Sequence, residues 1–248
     1  MKELTDEEIK IRDEAIAFAK ANRTRIAREF TSTDRFPSEA APVSLFMAGS
    51  PGAGKTEFAR ALTRAFRDDG GAAMHIDIDE LRLCFPAYSG GNAHLFQPAA
   101  NLLLERIHDA ALKQRQSFIL DGTMARYDIA HRNIMRSLKK DRIVKILYVY
   151  QEPGQAWRFV QARELTEGRR IIPDLFVEQY FNARAVVNQL KAELDDQISV
   201  DLLVKHIDGT AQFYKDNIDC IDNHLRETYD RASILDIIEA IKGGKPCD

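Results

Sequence analysis

From residue 43 onward, apolar and polar positions switch repeatedly between a period of two and a period near 3.6. Short apolar runs at 43–47, 73–78, 117–120, 143–150 and 199–207 predict strands. Between them, stretches of helical period predict helices at 56–68, 98–113, 127–140, 155–166 and 173–195, with a last helix at 233–242. Crossovers of this length force parallel pairing, so the expected fold is α/β, three layers with a central, mostly parallel five-stranded sheet. Ligands of such a sheet bind beyond the carboxyl ends of its strands. Ahead of it, Thr5-Asp6-Glu7-Glu8 reads as a capping box, and Ile9, Ile16, Phe18, Ala19, Ile26 and Phe30 recur at roughly helical spacing. Residues 1–40 are therefore expected to be an N-terminal helix and linker, either packing on the core or serving a regulatory or partner-binding role. Residues 41–248 form the α/β domain.

Composition narrows the classes of function. With 248 residues, 45% hydrophobic and 29% charged, the chain is long enough for one full core and ordinary for a globular protein. A net charge of −3 argues against a general nucleic-acid or membrane-surface binder, while leaving room for a local basic pocket. No apolar run approaches bilayer length, and the start of the chain has no signal-like apolar segment. Cys84, Cys220 and Cys247 lack metal-like spacing, which predicts reduced thiols and a cytoplasmic setting.

The chemistry begins at Gly49-Ser50-Pro51-Gly52-Ala53-Gly54-Lys55-Thr56, which reads GxxxxGK[ST] between a predicted strand and a predicted helix. Glycines allow backbone N–H groups to close on phosphate oxygens, and the helix N-terminus adds its positive dipole end. Lys55 is placed to reach the β and γ phosphates, and the Thr56 hydroxyl to ligate Mg²⁺. A nucleoside triphosphate is the expected ligand.

Acids stand at the following strand ends. With period two, Asp77 and Asp79 share a face, and Asp79 is positioned either to accept a proton from an acceptor hydroxyl or to cap a short helix. Asp121 follows four apolar residues and precedes Gly122-Thr123. It suits Mg²⁺ or a polar substrate, and the residues leave both open. Arg163, Arg169 and Arg170 lie in a segment bounded by Gly154 and Pro173, which reads either as a lid over 154–173 or as a solvated charge cluster.

Taken together, Gly49 to Thr56, Ile76-Asp77-Ile78-Asp79, Glu105, Ile119-Leu120-Asp121-Gly122-Thr123 and the stretch from Tyr148 through Arg163 to Pro173 resemble the zeta toxin family of P-loop kinases. The resemblance covers about 43–185. It implies a P-loop kinase-like fold, ATP and Mg²⁺ as cofactors and UDP-N-acetylglucosamine as the substrate, phosphorylated at the sugar 3′-hydroxyl. It also implies a growth-inhibiting role and a possible antitoxin partner. Residue by residue, Lys55 matches the family's phosphate-loop lysine, Asp79 its catalytic aspartate and Glu105 a glutamate on the sugar nucleotide. Thr123 matches the threonine after the third-strand acid, and Arg163 with Arg169 or Arg170 the paired lid arginines. Two departures fall in the presumed acceptor pocket: Asp121 stands where the family often has Glu, and Ala125 where some members place an arginine, with Arg126 next. These departures bear on the acceptor, so a kinase of another small hydroxyl compound (a nucleotide, cofactor or antibiotic) stays open. So does a non-catalytic nucleotide-binding interaction module using residues 1–40.

Overall fold

The computed structural model describes residues 4–168, 170–206, 208, 210–225 and 228–243. Helix α1 (Asp6–Phe30) opens on the expected capping box, with the Thr5 hydroxyl accepting from Glu8 N and the Glu8 carboxylate from Thr5 N. After a loop come β1 (Val43–Ala48), α2 (Lys55–Asp68), β2 (Met74–Asp77), α3 (Ile78–Arg82) and α4 (Ala93–Lys113). The chain continues through β3 (Phe118–Asp121), α5 (Tyr127–Leu138), β4 (Ile143–Tyr150), α6 (Pro153–Glu167) and α7 (Pro173–Leu194). It closes with β5 (Ser199–Lys205), β6 (Ala211–Lys215) and α8 (Arg231–Lys242).

The sheet has six strands rather than five, in the order β2-β3-β1-β4-β5-β6. The first five pair in parallel, and β6 runs antiparallel to β5 at the edge. Sequence periodicity missed β6 because it lies almost wholly exposed, so no apolar alternation marks it.

Alternation sorts each buried strand onto two faces. Leu45, Met47, Ile119, Leu147, Val149 and Leu203 pack with Ala59 of α2. Phe46, Ala48, Ile76, Phe118, Ile146, Tyr148 and Leu202 face the larger cluster built with α4, α5 and α7. Along α4 lies α1, whose Ala15, Ala19 and Ala27 are buried and whose Phe18 meets Phe85 edge-on at 5.6 Å. Small residues on that stripe let the two helices approach closely. Because β1 is flanked by β3 on one side and β4 on the other, the chain reverses direction across the sheet at its carboxyl end, where such sheets open a crevice.

One local reading needs correction. The second strand ends at Asp77, and α3 starts immediately, with Asp77 Oδ1 accepting from Asp79 N at 2.8 Å. Asp77 is therefore the helix cap, and Asp79 sits in the first helical turn, off the strand face it was expected to share.

Candidate active site

The loop between β1 and α2 holds three glycines at positive φ: Gly49 (132°), Gly52 (74°) and Gly54 (83°). At Gly52 a Cβ would lie 2.1 Å from Ala156 O, and at Gly49 2.3 Å from Val149 O, so only glycine fits either place. The loop thus closes tightly against β4 and α6 and presents backbone at the mouth of α2, an anion cradle that fits a polyphosphate. Lys55 is buried at its base, donating to Ser50 O at 2.7 Å and Gly49 O at 3.1 Å. Pro51, Gly52 and Gly54 line the adjoining cavity, while Ser50 and Ala53 are buried behind it.

On the metal side, the Thr56 hydroxyl donates to Asp121 Oδ2 at 2.6 Å, and His75 Nε2 lies 3.4 Å from the same oxygen. The Thr56 hydroxyl and the Asp121 carboxylate therefore meet at the start of α2, where an oxygen-binding cation would fit. Asp121 pairs in register with Asp77 across β2 and β3. Burial works to raise the Asp121 carboxyl, but the His75 imidazole, the Lys55 charge and the Thr56 hydroxyl together hold it below the usual carboxylate range. At Asp77 the balance goes the other way: burial, then the charges of Asp121 and Asp79, outweigh the Asp79 N–H bond and the His75 charge and push it up to about 6.

On the acceptor side, Arg82 donates to Asp79 Oδ1, and Arg163 Nη2 donates to Asp79 Oδ2 at 3.2 Å. Arg82, almost fully buried, also donates to Gln97 Oε1 of α4. Two guanidinium groups from α3 and α6 thus fix both oxygens of the carboxylate. Glu105 of α4 accepts from Arg132 at 2.8 Å and Arg136 at 3.0 Å, both on α5. The turn after β3 is tied to the phosphate loop, because Gly49 N donates to Thr123 O at 3.2 Å. Arg126 lines the cavity and pairs with Asp128 at 2.9 Å.

All these elements open on one cavity of about 940 Å³, lined among others by Lys55, Thr56, Asp79, Glu105, Thr123 and Arg163. Single drug-sized ligands occupy cavities of about 300–1,000 Å³, so this one, at the top of that range, has room for a nucleotide-sized ligand. Arg170 stands apart from it, 77% exposed and 3.8 Å from Glu164, and Arg169 lies outside the described residues. Sequence reasoning missed Arg82, Arg132, Arg136 and Lys205. The last ends β5 with its Nζ against Gly54, at the strand terminus where the ligand rule would have directed attention. Arg132 and Arg136 carry no spacing signal, since they reach Glu105 of α4 from α5, whereas Arg82 stands three residues after Asp79 in the same helix, a spacing that pairs side chains.

The zeta toxin family model matches residues 26–219. No curated protein matches the chain in sequence. Among solved structures, one from the PezAT chromosomal toxin–antitoxin system of Streptococcus pneumoniae is similar at TM-score 0.63 and 17% identity, covering 98% of each chain. An AvrRxo1-ORF1:AvrRxo1-ORF2 structure with sulphate ions is similar at TM-score 0.58 and 14% identity, covering 97% of this chain and 86% of that one. Another AvrRxo1-ORF1:-ORF2 structure, with ATP, is similar at TM-score 0.57 and 16% identity, covering 92% and 71%. At these identities the likeness is one of fold.

Proposed function

Because this chain belongs to the zeta toxin family, we propose that it is an ATP-dependent kinase that phosphorylates the sugar 3′-hydroxyl of UDP-N-acetylglucosamine and so arrests growth. The observation that carries this reading is the single cavity that joins the Lys55 cradle to Asp79, Glu105 and Thr123. A phosphate donor and an alcohol acceptor need such a shared space for in-line transfer.

In this reading the loop 49–56 grips the triphosphate through backbone N–H groups, and Lys55 exchanges its carbonyl partners for phosphate oxygens. Thr56, with Asp121 behind it, would hold Mg²⁺, which when bound would supply neutralisation of the triphosphate charge. Asp79, held by Arg82 and Arg163, orients the acceptor hydroxyl and takes its proton. Arg163 bonds Asp79 and lines the same cavity as the phosphate loop, so it can turn to the transferring group, and Arg169 or Arg170 joins it if the segment 154–173 closes as a lid. Glu105, Thr123 and Arg126 contact the acceptor. The zeta toxin match and the toxin–antitoxin origin of the pneumococcal neighbour support an antitoxin as the restraining partner. A cytoplasmic setting follows from that substrate; no helix among the described residues is long and apolar enough to cross a membrane.

The test is ³¹P NMR of ATP and Mg²⁺ with UDP-N-acetylglucosamine, and with a panel of other hydroxyl acceptors. A new sugar-phosphate resonance is expected only with the uridine sugar. Transfer to a different acceptor would replace the substrate, and ATP binding without transfer to any acceptor would leave an interaction module.

A further inference from the structure

Beside the phosphate loop lies a second constellation, which shares Asp121 with the kinase reading and adds His75 and Asp77, two residues that reading does not use. His75 and Asp77 alternate along β2 and so share its α2-facing side, and Asp121 joins them from the register-paired position on β3. Ligand atoms of the three lie within 4.8 Å of one another. The His75 side chain is 9% exposed, its Nε2 is shielded from solvent, and it makes no well-formed hydrogen bond among the described residues. That nitrogen points at Asp121 Oδ2, 3.4 Å away. Two ligands each about 2.1 Å from one tetrahedral cation stand about 3.4 Å apart, so the pair already has the spacing of a metal-ligand edge.

Both carboxylates are oriented from behind. Asp77 Oδ1 accepts from Asp79 N at 2.8 Å, and Asp121 Oδ2 accepts from the Thr56 hydroxyl at 2.6 Å. Such outer hydrogen bonds fix ligand direction in metal sites. Two carboxylates this close, at 7% and 8% exposure, repel each other strongly in a poorly solvated place. A cation relieves that repulsion and completes the valence of the orphaned imidazole.

We propose that His75, Asp77 and Asp121 hold a divalent first-row transition cation in the nucleotide-free protein, at a site that shares only Asp121 with the Mg²⁺ that arrives with ATP. An imidazole with two carboxylates selects Mn²⁺, Fe²⁺, Co²⁺ or Zn²⁺ over Mg²⁺, which prefers oxygen and water. The cation stiffens the carboxyl ends of β2 and β3, from which α3 and the Asp121-Gly122-Thr123 turn depart. The site stands on these three side chains alone, whether or not the chain transfers phosphate to a sugar.

Chelator-stripped, nucleotide-free protein is titrated with Mn²⁺ alone, and free Mn²⁺ is read by electron paramagnetic resonance. One Mn²⁺ per chain is expected, with affinity falling at least 10-fold in His75→Ala and persisting in Lys55→Ala, which cripples the phosphate loop. Circular dichroism checks that each variant folds. Independently of any variant, electron spin echo on the wild-type complex is expected to show coupling to an imidazole nitrogen. Binding only in the presence of ATP, undiminished binding by folded His75→Ala, or absence of nitrogen coupling would each overturn the proposal. In those cases a protonated His75 is what balances the acids.

Discussion

Replacing Arg82 by Met tests whether Asp79 works because of how it is held. Arg82 is 3% exposed, and its guanidinium spans Asp79 Oδ1 and Gln97 Oε1. Removing one member of a fully buried charge pair costs about 3–5 kcal/mol, because the other charge is left uncompensated. Asp79 is 21% exposed at its side chain and keeps the Arg163 contact at 3.2 Å, which discounts the loss to about 2–3 kcal/mol. Methionine fills most of the vacated volume, so cavity cost stays small. The catalytic effect is separable from the stability effect. A displacement of about 1 Å at a positioned group costs on the order of 10² in rate, so kcat should fall by about that factor. The KM for ATP should hold, since Arg82 acts through Asp79 and Gln97, which lie outside the phosphate loop. Urea denaturation gives the first quantity, and steady-state phosphoryl transfer to UDP-N-acetylglucosamine the second. If the variant loses stability but keeps its kcat, Asp79 is positioned by something else. If ATP KM rises while kcat is unchanged, Arg82 belongs to the nucleotide side.

Asp79→Ala should abolish transfer while leaving ATP affinity, measured calorimetrically, largely intact; retained turnover would remove Asp79 from the mechanism. Gly52→Ala forces a Cβ to within 2.1 Å of Ala156 O at a φ of 74°, so ATP binding should disappear while the rest of the sheet still melts cooperatively. Glu105→Gln weakens the Arg132 and Arg136 pairs and should raise the acceptor KM with ATP KM unchanged, read from initial rates at varied UDP-N-acetylglucosamine. Asp77 gives a pH signature in chelator-treated protein. Its carboxyl is raised to about 6 when folded, so the native state binds the proton more tightly than the unfolded chain, and its contribution to stability falls as pH climbs from about 4 to 6. The Asp77→Asn variant lacks that loss and should gain on wild type by roughly 2–3 kcal/mol across the interval; parallel stability curves would contradict the shift.

Legibility in the sequence tracked where the physics is local. The glycine loop, β4 at its full extent and the capping box of α1 depend on neighbours in the chain, and each stands where periodicity and motif put it. The boundary at Asp77 failed because Ile78 continues the apolar alternation while the Asp77 carboxylate, one residue earlier, turns the backbone into a helix. Likewise Pro98, taken as a helix start, lies inside α4, which begins at Ala93. Long-range partners were invisible for a different reason. Nothing near Glu105 in sequence announces Arg132 and Arg136, which reach it only because α5 crosses beside α4. Arg170, one of the two matches to a lid arginine that the resemblance implies, stands in solvent near Glu164, where a guanidinium is most easily accommodated.

In the proposed mechanism, the distribution of acids across the cavity accounts for Asp79, rather than Asp77 or Asp121, serving as the base. Asp77 and Asp121 rise from adjacent strand ends, buried and bound through one oxygen each to Asp79 N and the Thr56 hydroxyl, so they are held in place from within the fold. Asp79 and Glu105 project from helices instead, and their partners are arginine side chains, which can rotate away. A carboxylate that must release one partner to meet a substrate hydroxyl needs neighbours of the second kind. Arg163 is such a neighbour: half-buried on α6, it now bonds Asp79 and borders the cavity leading to the phosphate loop. Its turning toward an incoming γ-phosphate would free Asp79 Oδ2 while Arg82 keeps Oδ1 in place. Donor binding and base exposure would then be one movement, and the buried arginine is the part that must not take part in it.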